Sequence, residues 1–412
     1  MTSVAPATAL GVHELYRRHF GPGRASVGRM IGGMVEVDSH GPWLTTADGG
    51  AYLDFGGYGV YLLGHRHPDV VAAVHRQLDR HPMASRVFQE PVTAAAAAAL
   101  ASVTPGDLDL VHFVNSGAEA VEAGLKLARA HGRNALVTTR NGFHGKTLGA
   151  LSVTAKAVFQ DPFRPLLPDV TEVAYGDLSE LDHALSTVAG RGCFIVEPVQ
   201  GEGGVNLPPP GYLRGAAELC RRHGAMFVAD EIQTGLGRLG MWWGVDAEDV
   251  VPDILLVGKI LSGGVVPVAA MVATAAAYAP FAKDPYLHTS TFAGSPLACA
   301  AAAAVVEVLR RDDLPGRAAR LGTRLLAGID AAVAKAGLAQ RIQVRGRGLL
   351  IGLEFADPGG VGALFLNLLD RGVLANHSLN SSHVLRFTPP AILGDTEVDR
   401  FLAILAEALA DL

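Results

Sequence analysis

The sequence predicts an α/β protein, with a large domain whose mostly parallel sheet is flanked by helices and a small α+β domain after it. Three observations predict this. Short apolar runs without strict alternation recur through the middle of the chain, as strands covered on both faces require. Helical patterns separate those runs, which is the alternation that builds a parallel sheet. After Pro315 and Gly316 the pattern changes to a long helix and a few short strands.

The elements follow in order. Residues 1–60 carry hairpin-like pieces at Met34–Val37, Trp43–Thr45 and Tyr52–Phe55. They are too few to fold alone and are expected to pack with the small domain. Residues 61–313 form the large domain. Its strands are read at Leu110–Val114, Ala135–Thr139, Cys193–Val196, Ala225–Ala229, Ile254–Val257 and Val268–Ala273, and its helices at Gly117–Ala130, Gly211–His223 and Ser295–Arg311. Residues 314–412 form the small domain, with helices at Gly316–Ala336, Gly360–Arg371 and Thr396–Leu409 and strands at Ile342–Val344, Leu349–Phe355 and Val384–Phe387.

Composition narrows the function. The 412 residues are 49% hydrophobic and 18% charged, enough for a large core. A net charge of -6, spread along the chain, argues against a nucleic-acid footprint. Three cysteines (Cys193, Cys220 and Cys299) are far apart, have no metal-ligand spacing and read as buried thiols of a reducing compartment. Met1–Leu10 lacks the pattern of a secretory signal. The longest apolar stretch, Gly263 to Ala282, contains Pro267 and Pro280 and reads as a strand plus a short helix, not a membrane span. A cytoplasmic protein with no membrane, nucleic-acid or metal partner is expected.

Candidate chemistry gathers at strand ends. Lys259 is one of only six lysines and closes the apolar run Ile254–Val257. Desolvation lowers a lysine's pKa, and the neutral amine can condense with an aldehyde. Asp230 closes another buried strand, where a carboxylate needs a cationic partner. The pair suggests a lysine holding pyridoxal phosphate and an aspartate on its pyridinium nitrogen. A plain Lys–Asp ion pair is the alternative. Asn115–Ser116–Gly117–Ala118–Glu119–Ala120 opens a helix after a strand and offers either a phosphate site or an ordinary N-cap. Phe143–His144–Gly145 offers a stacking aromatic or a capped turn. Glu197 and Glu202 lie in a Gly-rich loop that fits either a crevice site or a solvated loop. Gln233 is spaced to reach a ring oxygen. His288–Thr289–Ser290–Thr291–Phe292 could donate to a phosphate or cap a helix. Arg386, inside an apolar strand, needs a carboxylate, whether from substrate or protein.

Together these segments resemble class III aminotransferases of the fold-type-I pyridoxal-phosphate group, from about Gly32 to the C-terminus. The landmarks are Asn115–Ala120, Phe143–Leu151, Val196–Val205, Phe227–Leu239, Pro252–Gly264 and His288–Ala304. Within the family the chain is most similar to the putrescine and ornithine types, the putrescine type above all. That likeness rests on Phe143–Ser152, Pro162–Pro168 and Gly203–Leu213.

The resemblance implies the roles. Lys259 bonds the cofactor aldehyde and later carries a proton, and Asp230 holds the pyridinium. Gln233 binds the phenolic oxygen. Ser116, Gly117 and Ala118 form the phosphate loop. Phe143 stacks on the ring with His144 beside it, and Glu197 buttresses Gln233 and the cofactor. Thr291 reaches the phosphate of a neighbouring subunit, making the homodimer part of the site. Arg386 binds a substrate carboxylate, and Glu202 pairs with it when none is present. The implied reaction is ping-pong transfer of a terminal (ω) amino group from a diamine or ornithine-like amine to 2-oxoglutarate or a similar oxo acid, by way of pyridoxamine phosphate. A pathway transaminase acting on a larger aldehyde and an aminomutase are the alternatives. A non-catalytic scaffold is disfavoured because Lys259 and Asp230 are both present, and a dinucleotide dehydrogenase because no G-x-G-x-x-G joins a strand to a helix. Departures from the family pattern are Ala118 for threonine, Ala293 and Ser295 for glycine and asparagine, and Gly258, Ile260 and Ser262 for alanine, alanine and glycine. The segment Asn376–His383, before Arg386, reads as substrate-facing and matches no known specificity pattern.

Overall fold

Apolar residues alternate between the two faces of a central sheet, and that alternation sets the architecture of the computed structural model. The structure describes residues 9–412, so the signal reading of Met1–Leu10 falls almost wholly outside it. Strands β1 (Glu36–His40), β2 (Trp43–Thr46) and β3 (Ala51–Asp54) form an antiparallel meander. Seven strands follow: β4 (Leu110–Val114), β5 (Ala135–Thr139), β6 (Val170–Val173), β7 (Gly192–Val196), β8 (Met226–Asp230), β9 (Ile254–Val257) and β10 (Ala269–Ala273). They form one sheet in the order β4-β10-β9-β8-β7-β5-β6. Only β10 runs against its neighbours β4 and β9; the other six strands run the same way.

Val137, Phe194, Phe227, Leu255 and Val272 join one core, while Leu136, Ile195, Val228, Leu256 and Met271 join the other. These residues alternate along each strand, so both faces are covered, as a parallel sheet requires. The helix Gly117–Ala130 covers one face. The helix Pro296–Arg311 packs on the helices Pro68–Arg80 and Pro91–Ala101 and buries ten of its residues, from Pro296 to Leu309.

The remaining strands are β11 (Ile342–Arg347), β12 (Leu350–Phe355), β13 (Val373–Leu374), β14 (Asn376–His377) and β15 (Val384–Phe387). Four of them form an antiparallel sheet in the order β11-β12-β15-β14, and β13 pairs in parallel with β3. The N-terminal meander therefore shares a sheet with a strand from the end of the chain. Pro315 does not break the chain. It sits in the first turn of the helix Leu314–Lys335, where its missing N–H costs nothing.

Arg238 ties these parts together. Its fully buried guanidinium donates to the carbonyls of Pro389 at 2.7 Å, Leu349 at 3.2 Å and Gly59 at 3.3 Å. Burial pushes its pKa down to about 9. The chain segments bordering the site are thus joined by one side chain, which nothing in the local sequence announces.

Candidate active site

The carboxyl ends of parallel strands carry the candidate residues. Ser116 follows β4, Phe143 follows β5, Glu197 follows β7, Asp230 ends β8 and Lys259 follows β9. Between them lies a cavity of about 260 Å³. Gly117, Ala118, Phe143, Gly145, Ile232 and Lys259 line it, along with the polar side chains of His144, Glu197, Asp230 and Gln233. A second cavity, about 360 Å³, shares Gly117 and Lys259 with the first and adds Asn115, Ser116 and Gly264.

Lys259 opens a short 3-10 turn, Lys259–Ser262, with its backbone at φ +43. A side chain held in that left-handed region costs about 1–3 kcal/mol, strain that concentrates at functional sites. The Ser262 hydroxyl closes the turn, donating to the Lys259 carbonyl at 2.7 Å and accepting from the Gly264 N–H at 2.9 Å. The departure from glycine at this position has that structural use. Burial pushes the Lys259 ammonium down, opposed by the charges of Glu202 and Asp230. The amine therefore loses its proton more readily than that of an exposed lysine.

A Lys259–Asp230 ion pair is not formed among the described residues. Asp230 is instead held by His144, whose Nδ1 lies 2.7 Å from Oδ2, both side chains being buried. Its Oδ1 accepts the Ile232 N–H at 3.1 Å. Burial pushes the His144 imidazolium down, but the hydrogen bond and charge of Asp230, reinforced by Glu197, outweigh it and the net direction is up. Sequence reading set His144 beside the ring. The structure makes it the support of Asp230, a partner 86 residues away.

Glu197 lines the same cavity as Gln233 and is held by two backbone N–H groups. Its Oε2 accepts the Phe143 N–H at 3.0 Å and its Oε1 accepts the Gly201 N–H at 3.2 Å. Gly201 in turn packs against Gln233, since a Cβ there would strike Gln233 Oε1. Burial pushes the pKa of Glu197 up to about 7 from 4.5, with His144 opposing. The folded state therefore holds this proton more tightly than the unfolded chain, so stability is present below pH 4.5 and lost as pH rises through 7. The cofactor-free protein is expected to lose on the order of 3 kcal/mol over that window through this group. Denaturant titrations of wild type and Glu197→Gln at several pH values check it: the variant's stability should fall less steeply.

Ser116 caps the helix Gly117–Ala130. Its hydroxyl accepts the Glu119 N–H at 3.3 Å, and the Glu119 carboxylate accepts the N–H groups of Asn115 at 2.7 Å and Ser116 at 3.0 Å. The first-turn N–H groups of Gly117 and Ala118 have no acceptor within the helix. Gln233 Nε2, though buried, has no partner among the described residues. Thr291 lies on an exposed loop and lines neither cavity of its own chain. Asn115 Nδ2 donates to the neighbouring Ser290 hydroxyl at 3.1 Å.

Arg386 is fully buried in β15. Its Nη1 lies 2.8 Å from Glu202 Oε1, yet none of its three nitrogens has a well-aligned hydrogen bond among the described residues. The pair is held by charge and leaves donors free to turn to another carboxylate.

A model of the class III aminotransferases matches residues 27–409 of this sequence. The chain belongs to the class III aminotransferases. Solved relatives agree with the assignment. Ornithine aminotransferase from Toxoplasma gondii ME49 is 33% identical over 98% of this chain and 95% of its own, with a TM-score of 0.90. A second structure of the Toxoplasma gondii enzyme, 32% identical over 99% of this chain and 96% of its own at a TM-score of 0.89, has pyridoxal phosphate at partial occupancy in its active site. An (S)-enantioselective ω-transaminase from Thermomicrobium roseum is 28% identical, with 98% of each chain covered and a TM-score of 0.89.

Pyridoxal phosphate is the cofactor of class III aminotransferases. This chain's residues fit it on their own terms. The unpartnered Gln233 Nε2 donor, the buried Asp230 carboxylate, the free helix N–H groups at Gly117 and Ala118 and the apolar Phe143 and Ile232 border one cavity with Lys259. The sequence gives Ile232 no role and reads the segment around Asn380 only as substrate-facing. For the first, its place between Asp230 and Gln233 was the available signal.

Proposed function

We propose that this class III aminotransferase moves a terminal (ω) amino group from an amine, such as a diamine or an ornithine-like compound, to an oxo acid such as 2-oxoglutarate. The observation that carries this reading is the buried Arg386–Glu202 pair. A buried guanidinium wants a carboxylate. With an amine lacking a carboxylate at that place, Glu202 serves. With a dicarboxylic oxo acid, the substrate carboxylate displaces it. One site can then take both substrates in turn, which gives ping-pong kinetics.

When bound, pyridoxal phosphate supplies the aldehyde that takes up and returns the amino group and the ring that withdraws electrons from the substrate carbon. The chain's own residues do the rest. Lys259 would hold the cofactor through its amine and, once freed, carry the proton from the substrate carbon. Asp230, fixed by His144, keeps the ring nitrogen protonated. Gln233 would donate to the ring oxygen, Phe143 would pack on the ring, and Ser116, Gly117 and Ala118 would hold the phosphate. Thr291 completes the phosphate site of a second copy, and its exposure away from its own cavity supports this homodimeric reading.

Arg386→Met tests the proposal. Removing one partner of a buried charge pair costs about 3–5 kcal/mol, so kcat/KM for the oxo acid is expected to fall at least 100-fold. Reaction of the amine alone, read as aldehyde released in one turnover, should change much less. Equal losses in both half-reactions would contradict the assignment of Arg386 to the substrate carboxylate.

A further inference from the structure

The segment Ser378–Asn380 grips Glu202 from both sides. The Leu379 N–H donates to Glu202 Oε2 at 2.9 Å, and the Asn380 N–H donates to the Glu202 carbonyl at 2.9 Å. The other carboxylate oxygen, Oε1, faces Arg386. The segment is itself tied down. Asn380 Nδ2 donates to the carbonyls of Asn141 at 3.0 Å and Gly142 at 3.2 Å, in the turn that leads to Phe143. Lys156 Nζ donates to the Asn380 carbonyl at 2.7 Å. Ser378 Oγ and Asn380 Oδ1 are buried without partners among the described residues. A segment with two unmet polar atoms has hydrogen bonds to gain from a second arrangement.

We propose that Ser378–Asn380 is a latch that holds Glu202 on Arg386, and that Lys156 and Asn380 are positioning residues setting how easily a dicarboxylate opens it. The inference rests on the Glu202–Arg386 exchange proposed above and deepens it. A carboxylate held at one oxygen by a backbone N–H cannot leave Arg386 unless the segment yields. The dicarboxylate therefore binds only the open fraction, and its apparent affinity falls by that fraction. A firm latch favours amines without a carboxylate. A loose one favours oxo acids. The specificity of the site is then set partly by residues that touch neither substrate.

Glutarate, which carries two carboxylates and nothing to transfer, is the probe. Calorimetric titration of the reconstituted holoenzyme gives its Kd without turnover. Glu202→Gln removes the competing charge and is expected to tighten glutarate at least about ten-fold. Lys156→Met, which keeps the apolar stem, should tighten it by roughly three- to ten-fold, the worth of one hydrogen bond. Asn380→Ala should act in the same direction. In the Glu202→Gln background Lys156→Met should add nothing, because Arg386 is already free. If Glu202→Gln tightens glutarate but Lys156→Met and Asn380→Ala do not, the latch is wrong and the exchange stands. A Lys156→Met effect of equal size in both backgrounds also overturns the latch. If Glu202→Gln leaves Kd unchanged, the exchange itself fails and the latch with it.

Discussion

Lys259→Ala is expected to lower kcat/KM by at least about 10⁴-fold, because the variant loses both the covalent anchor and the group that moves the proton. No neighbour can stand in. Asp230 is engaged by His144, Glu197 by two backbone N–H groups, and Glu202 by Arg386 and Leu379. Each is an acceptor already in use, and none is an amine. Lys259→Arg should be as inactive as the alanine variant, since a guanidinium keeps the charge but does not lose its proton to become a nucleophile. Loss of the visible absorption band of the reconstituted protein, together with single-turnover assays, checks the prediction. Cofactor should still bind, more weakly, through the contacts of Asp230 and Gln233. A variant retaining more than about one hundredth of wild-type activity would lie outside what loss of an acid–base group allows.

Asp230→Asn carries the second largest expected effect, a fall in kcat of about 10²–10⁴-fold. It removes the charge opposite the ring nitrogen, and breaking a buried charge pair costs about 3–5 kcal/mol, a tenfold change per 1.36 kcal/mol. The amide is nearly the same size and can keep one hydrogen bond to His144 or Ile232, so the fold should survive. His144→Asn, which leaves the carboxylate in place with the Ile232 N–H but without the imidazole, should show the same fall on a smaller scale. Steady-state kcat and cofactor affinity measured on the two variants check the order. Asp230→Asn with unchanged kcat would remove Asp230 from the chemistry.

The sequence showed the strands and their ends more clearly than the contacts between them. β4, β5, β9 and β15 begin and end where the predicted runs do, because each run is wholly or partly buried and closed by a polar residue or a glycine. β6 was missed. It is the edge strand, its Thr171 and Glu172 are exposed, and only Val173 is buried, so no apolar run marks it. The helix Pro91–Ala101 was also missed, since a run of alanines has no polar stripe to betray its period. The site was legible as a set of strand-end residues because parallel strands bring those ends together. What the sequence could not show are pairings fixed by tertiary packing. His144 meets Asp230, Arg238 joins three distant carbonyls, and Leu379 meets Glu202 across 177 residues. Glu197 gave a local signal, a carboxylate after a buried strand, but its two backbone partners lie in separate turns.

On the function proposed above, this chain takes an amino group from a terminal amine through Lys259 and gives it to an oxo acid. The most direct measurement follows the visible band of the reconstituted protein while putrescine, ornithine and glutamate are added singly, without acceptor. Bleaching by putrescine or ornithine, with one equivalent of carbonyl product per active site and recovery on adding 2-oxoglutarate, is the result expected. A protein that forms no band with pyridoxal phosphate, or whose band none of the three amines moves, would contradict it.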